Sequence, residues 1–420
     1  MVIALQATGG APNGVPKVPF NRWFRYPAGF STATLRAAVG AAEVPESGKL
    51  IDCFAGSAAV GVAAMQTGHS FIGIEGNPLV ASLGALKVTR PKVTGDAVRR
   101  RGEVLLAALA DSADTSIDSE HPLTLKCYSE ESLRQLVTLR DTLAGSRRPA
   151  DRYLRCALIG LLRETARVNT GWPYQRPEQI RKSPIPTVRD RFQVRFEAIA
   201  EDIDRWKPGW TEGRVINGDA RTAAAWRSIS DGSIDACVTS PPYLNNYDYV
   251  DATRLELYFL GDASSWSDLL TLARSRLVIA TTHHSTMAMA SAAEKRLREL
   301  SAYETILTLR EGLAEAQQHR PRPKEYDRML VSYLADIHRV LERLARSLRK
   351  GGRAVFVVGD SAPYGVHIDT PGLIAELGAE VGLKQQSSAV VRNRGERWRT
   401  NGTRHQVALS EQLLVLQRVS

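Results

Sequence analysis

The sequence predicts an α/β protein built on a doubly wound, mostly parallel sheet that a large helical insertion interrupts. Three observations predict it. Residues 47–87 read as one strand–helix–strand unit of small and apolar residues. The strand pattern then stops, and residues 93–210 read as mainly helical. It resumes at Arg214–Asn217 and Ile234–Thr239, each run ending in a polar or small-residue loop.

In chain order, residues 1–20 are rich in Gly and Pro and read as a flexible arm. Lys49–Cys53 is a short buried strand, Phe54–Ser57 a small-residue turn, Ala58–Thr67 a helix and Ser70–Ile74 the next strand, ending at Glu75. Within the insertion, Ser129–Leu143 and Arg152–Val168 carry apolar residues at i, i+3, i+4. Residues 171–195 are broken by prolines and hold six Lys/Arg against two acids. After the strand Ile234–Thr239 comes a second helical insertion, 262–325, and then a long amphipathic helix, Tyr326–Leu348, ended by Gly351-Gly352. Arg353–Val358 is a strand, Asp369–Val381 a helix and Leu413–Gln417 the last strand.

The 420 residues, 43% hydrophobic and 24% charged, are enough for a sizeable core without staples. Cys53, Cys127, Cys156 and Cys237 are far apart and form no Cys-x-x-Cys pair. That argues against a zinc site or a disulfide framework, and for a reducing cytoplasm. No apolar run approaches the ~18 residues of a membrane span, and the first residues lack a basic n-region. Neither a membrane segment nor a signal peptide is expected. The net charge of +10 favours a polyanionic partner.

The chemistry gathers at the predicted strand ends. In open α/β sheets ligands bind outside the carboxyl ends of the strands, near the point where strand order reverses. Those ends carry Asp52-Cys53-Phe54-Ala55-Gly56-Ser57, Glu75-Gly76-Asn77-Pro78, Gly218-Asp219-Ala220 and Ser240-Pro241-Pro242-Tyr243. A small-residue loop lets a ligand approach the backbone. One carboxylate can take both hydroxyls of a ribose, and another can accept from an adenine amine. The set suits an adenosine-containing cofactor. The Ser-Pro-Pro-Tyr segment is a rigid turn, because two prolines fix φ and remove two donors. Its carbonyls are free to meet a ligand between a serine hydroxyl and a tyrosine ring. An exocyclic amine on a flipped nucleobase needs two acceptors and a flat face. Taken singly, each motif also reads as an ordinary turn or a solvated acid; their order at successive strand ends argues against that.

With these motifs the chain resembles the S-adenosylmethionine-dependent DNA amino-methyltransferases, which methylate cytosine N4 or adenine N6. The resemblance covers the core segments, about half the chain. Arg25–Ser31 is similar to the family segment that closes over the methionine end of the cofactor, Ile51–Ser57 to its cofactor loop and Thr239–Tyr243 to its catalytic motif. Asn246–Asp251 to Gly261, and Gly351–Asp360, are also similar. Ala58 stands where the family's Gly-Ser-Gly loop has its last glycine. The long insert between Glu75 and Asp219 matches no standard family layout.

The resemblance implies a Rossmann-like methyltransferase sheet and site-specific transfer of a methyl group from S-adenosylmethionine to a flipped base in DNA. Ser240, Pro241, Pro242 and Tyr243 would be catalytic. Asp52 and Phe30 would hold the methionine end and Glu75 the ribose, with Asn77 beside it. Phe54 and Asp219 would hold the adenine, and Ala55, Gly56 and Ser57 would line the loop. Serine before the prolines is more usual for cytosine N4, so cytosine is favoured over adenine. An RNA or protein amide methyltransferase, and a silent DNA-binding module on the same fold, remain alternatives. The resemblance also implies a prokaryotic restriction or defence setting, leaving open a nuclease partner and the oligomeric state.

On this reading 21–92 is the cofactor-binding part of the core, 211–261 the catalytic part and 326–420 its C-terminal part. The insertion 93–210 is the candidate DNA-recognition region, with 262–325 its rival. Arg176, Arg181, Lys182 and Arg189, and separately Arg394, Arg397, Trp398 and Arg399, interleave basic and aromatic residues in the way phosphate contact and stacking need. Each stretch alone could be a solvated basic face. His283-His284 has no further ligand at a helpful spacing, so no metal site is expected.

Overall fold

The computed structural model describes residues 18–24, 31–168, 180–244, 249–280, 285–321, 323–394 and 407–419. The chain runs through helix α1 (Thr32–Ala41), strand β1 (Lys49–Asp52), α2 (Ala59–Gln66), β2 (Ser70–Glu75) and α3 (Pro78–Val88). The first insertion supplies α4 (Gly95–Ala108), α5 (Pro122–Cys127), α6 (Glu130–Leu143), α7 (Pro149–Thr165) and α8 (Val188–Asp204). Then come β3 (Gly213–Asn217), α9 (Ala223–Trp226), β4 (Ile234–Thr239) and α10 (Arg254–Phe259). The second insertion holds α11 (Trp266–Leu272), α12 (Met287–Leu297) and α13 (Tyr303–Gln318). The chain closes with α14 (Tyr326–Ser347), β5 (Leu348–Gly359), α15 (Thr370–Glu380), β6 (Leu383–Arg394) and β7 (Leu409–Arg418).

The seven strands form one sheet in the order β3-β2-β1-β4-β5-β7-β6. The first five are parallel, and β7 lies antiparallel between β5 and β6. Strand order reverses between β1 and β4, where Ile51 pairs with Cys237. A doubly wound sheet with a large helical insertion is therefore what the chain forms, and its crevice opens beyond Asp52 and Thr239.

Side chains alternate along each strand, so each strand feeds two cores. Leu50, Ala236, Val238, Val355, Leu413 and Val415 face one side, where α1–α3 and the first insertion share a continuous core through Val98, Leu136, Leu161, Phe192 and Phe196. Ile51, Ile74, Cys237, Phe356, Val358 and Leu416 face the other, against α14, α15 and the second insertion.

Four details differ from the sequence expectations. Phe20, at the end of the expected arm, is fully buried, and its N–H donates to Asp202; residues 1–17 lie outside the described residues. The segment from Val188 is not part of a proline-broken stretch. Its Val188, Phe192, Phe196, Ile199 and Ile203 are buried at helical spacing, and Thr187 caps it by accepting from Asp190 N–H. The long helix ends at Ser347 rather than at the glycine pair. Gly351-Gly352 lies inside β5, where the register against β4 jumps, and a Cβ on Gly352 would meet the Asp235 carbonyl at 2.8 Å. Strand β6 was not foreseen: it is an edge strand whose Lys384–Ser388 are exposed and polar, without an apolar face to reveal it.

Among the described residues no helix is long and apolar enough to cross a membrane. No group of three or more His, Cys, Asp or Glu among them could hold a metal ion. His283-His284 lies outside the described residues.

Candidate active site

The loop after β1 is held by two buried carboxylates. Asp52 Oδ1 accepts from Phe54 N–H at 3.0 Å and from the Thr239 hydroxyl at 2.6 Å. The start of the cofactor-type loop and the residue before Ser240 thus share one oxygen. Burial pushes the Asp52 carboxyl up to about 7 against those two hydrogen bonds. Glu75, at the end of β2, accepts from Gly56 N–H and from Asn77 N–H, both at 2.8 Å. Burial pushes it up to about 7 as well; the backbone donors oppose the shift and the charge of Asp52 adds to it.

Between the two acids, Ala55 N–H reaches the Ile74 carbonyl at 2.9 Å and Ala58 N–H the Ala55 carbonyl at 2.7 Å. Gly56 and Ala58 both take positive φ, at 50° and 60°. The second of these is where the resembled family has glycine, and the left-handed backbone gives the physical reason.

Asn77 is fully buried. Its Oδ1 caps α3 through Leu79 N–H at 3.1 Å and Val80 N–H at 3.4 Å, and its Nδ2 donates to Thr253 Oγ1 at 2.8 Å. Asn77 therefore ties the end of β2 and the start of α3 to the segment that follows the Ser-Pro-Pro-Tyr turn. Asp219 is engaged by Arg221, whose Nε reaches Oδ1 at 2.9 Å and Nη2 reaches Oδ2 at 2.8 Å. Arg221 continues to Asp336 at 2.8 Å and to the Ser275 carbonyl at 2.6 Å. Residues 275–277 of the second insertion so lie over the ends of β2 and β3. A Cβ on Gly76 would meet the Arg276 carbonyl at 2.7 Å and Leu277 Cδ2 at 2.9 Å. Phe54 is half-buried and packs against the core on the α14 side of the sheet.

At the end of β4, Pro241 and Pro242 are buried, and Ser240 and Tyr243 are half-exposed. Ser361 Oγ donates to the Leu244 carbonyl at 2.8 Å and fastens the turn to the end of β5. The Tyr243 hydroxyl donates to Glu411 Oε1 at 2.6 Å. The Arg394 guanidinium lies over the Tyr243 ring, 5.0 Å from its centroid. Burial, then the Glu411 charge, holds the Tyr243 phenol well above its ordinary pKa.

The expected basic residues separate. Arg181 donates to the Glu164 carbonyl at 2.9 Å and the Ala166 carbonyl at 3.3 Å, covering the end of α7. Arg189 donates to the Leu106 carbonyl of α4 at 2.8 Å. Lys182 is exposed. Arg394 is the one of the described set that stands at the Ser-Pro-Pro-Tyr turn. Phe30, Arg176, Arg397, Trp398 and Arg399 lie outside the described residues. Sequence reasoning missed Thr253 and Glu411, and the bond of Thr239 to Asp52, because these partners meet across 168–187 residues with no local signal; it also missed Arg221, which holds Asp219 from two residues away.

No family model matches the chain. It is 23% identical over 273 residues to the type II methyltransferase M.BsoBI of Geobacillus stearothermophilus, covering 57% of this chain and 52% of that protein. It is 26% identical over 159 residues to the type II methyltransferase M.AvaI of Nostoc sp., covering 37% of this chain and 32% of that protein. M.AvaI of Anabaena variabilis matches to the same extent. The chain thus spans about half the length of the first of these relatives and a third of the others. The motifs at successive strand ends and the sheet topology are those of a methyltransferase-type α/β fold, and over part of its length the chain is similar to type II methyltransferases.

Proposed function

We propose that the protein transfers a methyl group from S-adenosylmethionine to the exocyclic amine of a base flipped from DNA, with cytosine N4 as the preferred target. The observation that supports this most is the Asp52–Thr239 hydrogen bond, which joins the cofactor-type loop to the Ser-Pro-Pro-Tyr turn at the switch point of the sheet. The donor set fits the cofactor. Among the described residues both hydrogen bonds to Asp52 fall on Oδ1, leaving Oδ2 for the cationic methionine end. Phe30 would complete that end. Glu75 would take the ribose hydroxyls across the loop Ala55–Ser57, with Asn77 fixing its neighbour backbone. Phe54 and Asp219 would take the adenine, Asp219 sharing its carboxylate with Arg221.

When bound, the cofactor supplies an electrophilic sulfonium methyl. The chain supplies alignment. Ser240 Oγ and the Pro241 carbonyl accept the two N–H bonds of the amine, drawing the nitrogen towards tetrahedral geometry and aiming its lone pair. Pro242 keeps the turn rigid. Tyr243 stacks on the base once it has left the duplex. The serine before the prolines favours cytosine over adenine. The exposed Lys182 would meet phosphate, and Arg394, held over the Tyr243 ring and on the Asp360 carbonyl, stands where the flipped base and its phosphate would arrive, whereas Arg181 and Arg189 serve helix carbonyls. The type II names of the relatives add a restriction–modification setting to the proposal.

Incubation with S-adenosylmethionine labelled in the methyl group, in the presence of DNA, RNA or protein extract, tests the substrate class. Label is expected in DNA. Label in RNA or protein alone would overturn the DNA reading, and cofactor binding without transfer to any of them would favour a silent binding module.

A further inference from the structure

The ring of Tyr243 is held by strands far from its own turn. Its hydroxyl donates to Glu411 at 2.6 Å, across 168 residues of chain. Glu411 is 5% exposed and lies near the start of β7. In the sheet it pairs with Gly359 of β5 on one side and Arg392 of β6 on the other. Arg392 grips both carboxylate oxygens, Nη2 on Oε1 at 2.9 Å and Nε on Oε2 at 2.8 Å. A bidentate pair of this kind fixes the plane of the carboxylate and compensates its burial. Arg394, two residues on, lies over the ring and donates to the Asp360 carbonyl at 3.0 Å. Gly359 leaves the room for this packing. A Cβ there would collide with the Arg394 guanidinium and would stand 3.2 Å from Tyr243 Cε2.

A tyrosine side chain has two soft torsions, and a ring left to turn would have to be ordered as the base arrives. Here the hydroxyl, one edge and one face are each held before any base enters. We propose that Glu411 is a positioning residue that presets the plane of the Tyr243 ring for stacking with the flipped base, with Arg392 holding Glu411 in place. This rests on the reading of Tyr243 as the stacking ring. The hydrogen bond adds nothing to the reacting nitrogen itself. Its contribution is orientation, and misplacement of a catalytic partner by ~1 Å costs up to about a hundredfold in rate.

The test is a double-mutant cycle on methyl transfer to DNA of mixed sequence, with Tyr243→Phe, Glu411→Ala, Glu411→Gln and the Tyr243→Phe/Glu411→Ala pair. Tyr243→Phe removes one oxygen and keeps the ring. It is expected to lower kcat/KM for DNA about tenfold while the Kd for S-adenosylmethionine stays unchanged. Glu411→Ala is expected to lose a similar factor, and the double variant no more than either single one. Glu411→Gln, whose amide oxygen still accepts from the hydroxyl, is expected to recover most of the activity. Tyr243→Phe with wild-type activity would overturn the proposal, however well Glu411→Ala folds. So would a Glu411→Ala loss of equal size in the Tyr243→Phe background, or a loss that glutamine does not restore. Wild-type protein that transfers no methyl group to DNA would instead overturn the functional reading, and the positioning role with it.

Discussion

The methyl group of Ala58 points at Gly84: a Cβ on Gly84 would lie 3.2 Å from it, and 3.2 Å from the Gly56 carbonyl. Ala58 is fully buried at φ 60°, a left-handed backbone that costs a residue with a Cβ roughly 1–2 kcal/mol. Its extra methyl is thus housed by a glycine on α3. Gly84→Ala is expected to gain about 1 kcal/mol of helix propensity and to lose it again by pressing on the loop. Net stability should change little, while cofactor affinity falls several-fold because the Gly56 carbonyl must move. Adding Ala58→Gly should restore the affinity. Calorimetric titration of S-adenosylmethionine into the three variants checks this.

Asp52 and Glu75 make the protein's stability fall with pH. Both carboxyls are pushed up to about 7 in the folded chain. An unfolded chain releases those protons near pH ~4. Between these values the folded state binds more protons than the unfolded one. The stabilisation is therefore complete below about pH 4 and is lost as pH rises towards 7. In the absence of cofactor, the thermal midpoint of Asp52→Asn should fall less between pH 5 and 8 than that of the wild type. A cationic ligand on Asp52 needs the ionised form, so affinity for S-adenosylmethionine should rise with pH through about 7 and lose most of that dependence in Asp52→Asn.

Asp202 fastens the segment that leads into the core. This fully buried carboxylate accepts from Phe20 N–H at 2.7 Å, Trp23 Nε1 at 2.9 Å, and Arg22 Nε and Nη2 at 3.0 and 2.7 Å. Removing it leaves several donors without a partner in a closed interior. Asp202→Ala is expected to cost about 3–5 kcal/mol, as breaking a buried ion pair does, measured by urea unfolding. A change below about 1 kcal/mol would mean that the segment contributes little to the fold.

Arg181 is predicted to serve stability rather than DNA. Its guanidinium covers the carbonyls at the end of α7, so Arg181→Ala should lower stability by about 1 kcal/mol. The salt dependence of DNA binding should stay as it is. Arg394→Ala, in contrast, should weaken DNA binding, with the slope against log salt reduced by about one.

What could be read in the sequence was local. A strand, its closing loop and the following helix lie within a few residues of one another, so the Asp52–Ser57, Glu75–Asn77 and Ser240–Tyr243 segments were all visible. The partners that give them geometry were not. Thr239 meets Asp52 across 187 residues, and Asn77 meets Thr253 across 176. Nothing in either neighbourhood announces the pairing. Basic residues misled for a related reason: composition counts charge but not its partner, and Arg189 faces the Leu106 carbonyl while Arg195 faces Glu164 and the Arg22 carbonyl. Strand β6 escaped because an edge strand with polar side chains on both faces carries no period-two signal.

The most direct test of the central claim is mass spectrometry of nucleosides from DNA incubated with labelled S-adenosylmethionine and either wild-type protein or Ser240→Ala. Label in N4-methylcytosine with the wild type is predicted, lowered about a hundredfold in Ser240→Ala. Label in N6-methyladenine would keep the site and overturn the choice of base. Transfer undiminished by Ser240→Ala, or no label in any nucleoside although the cofactor binds, would contradict the account.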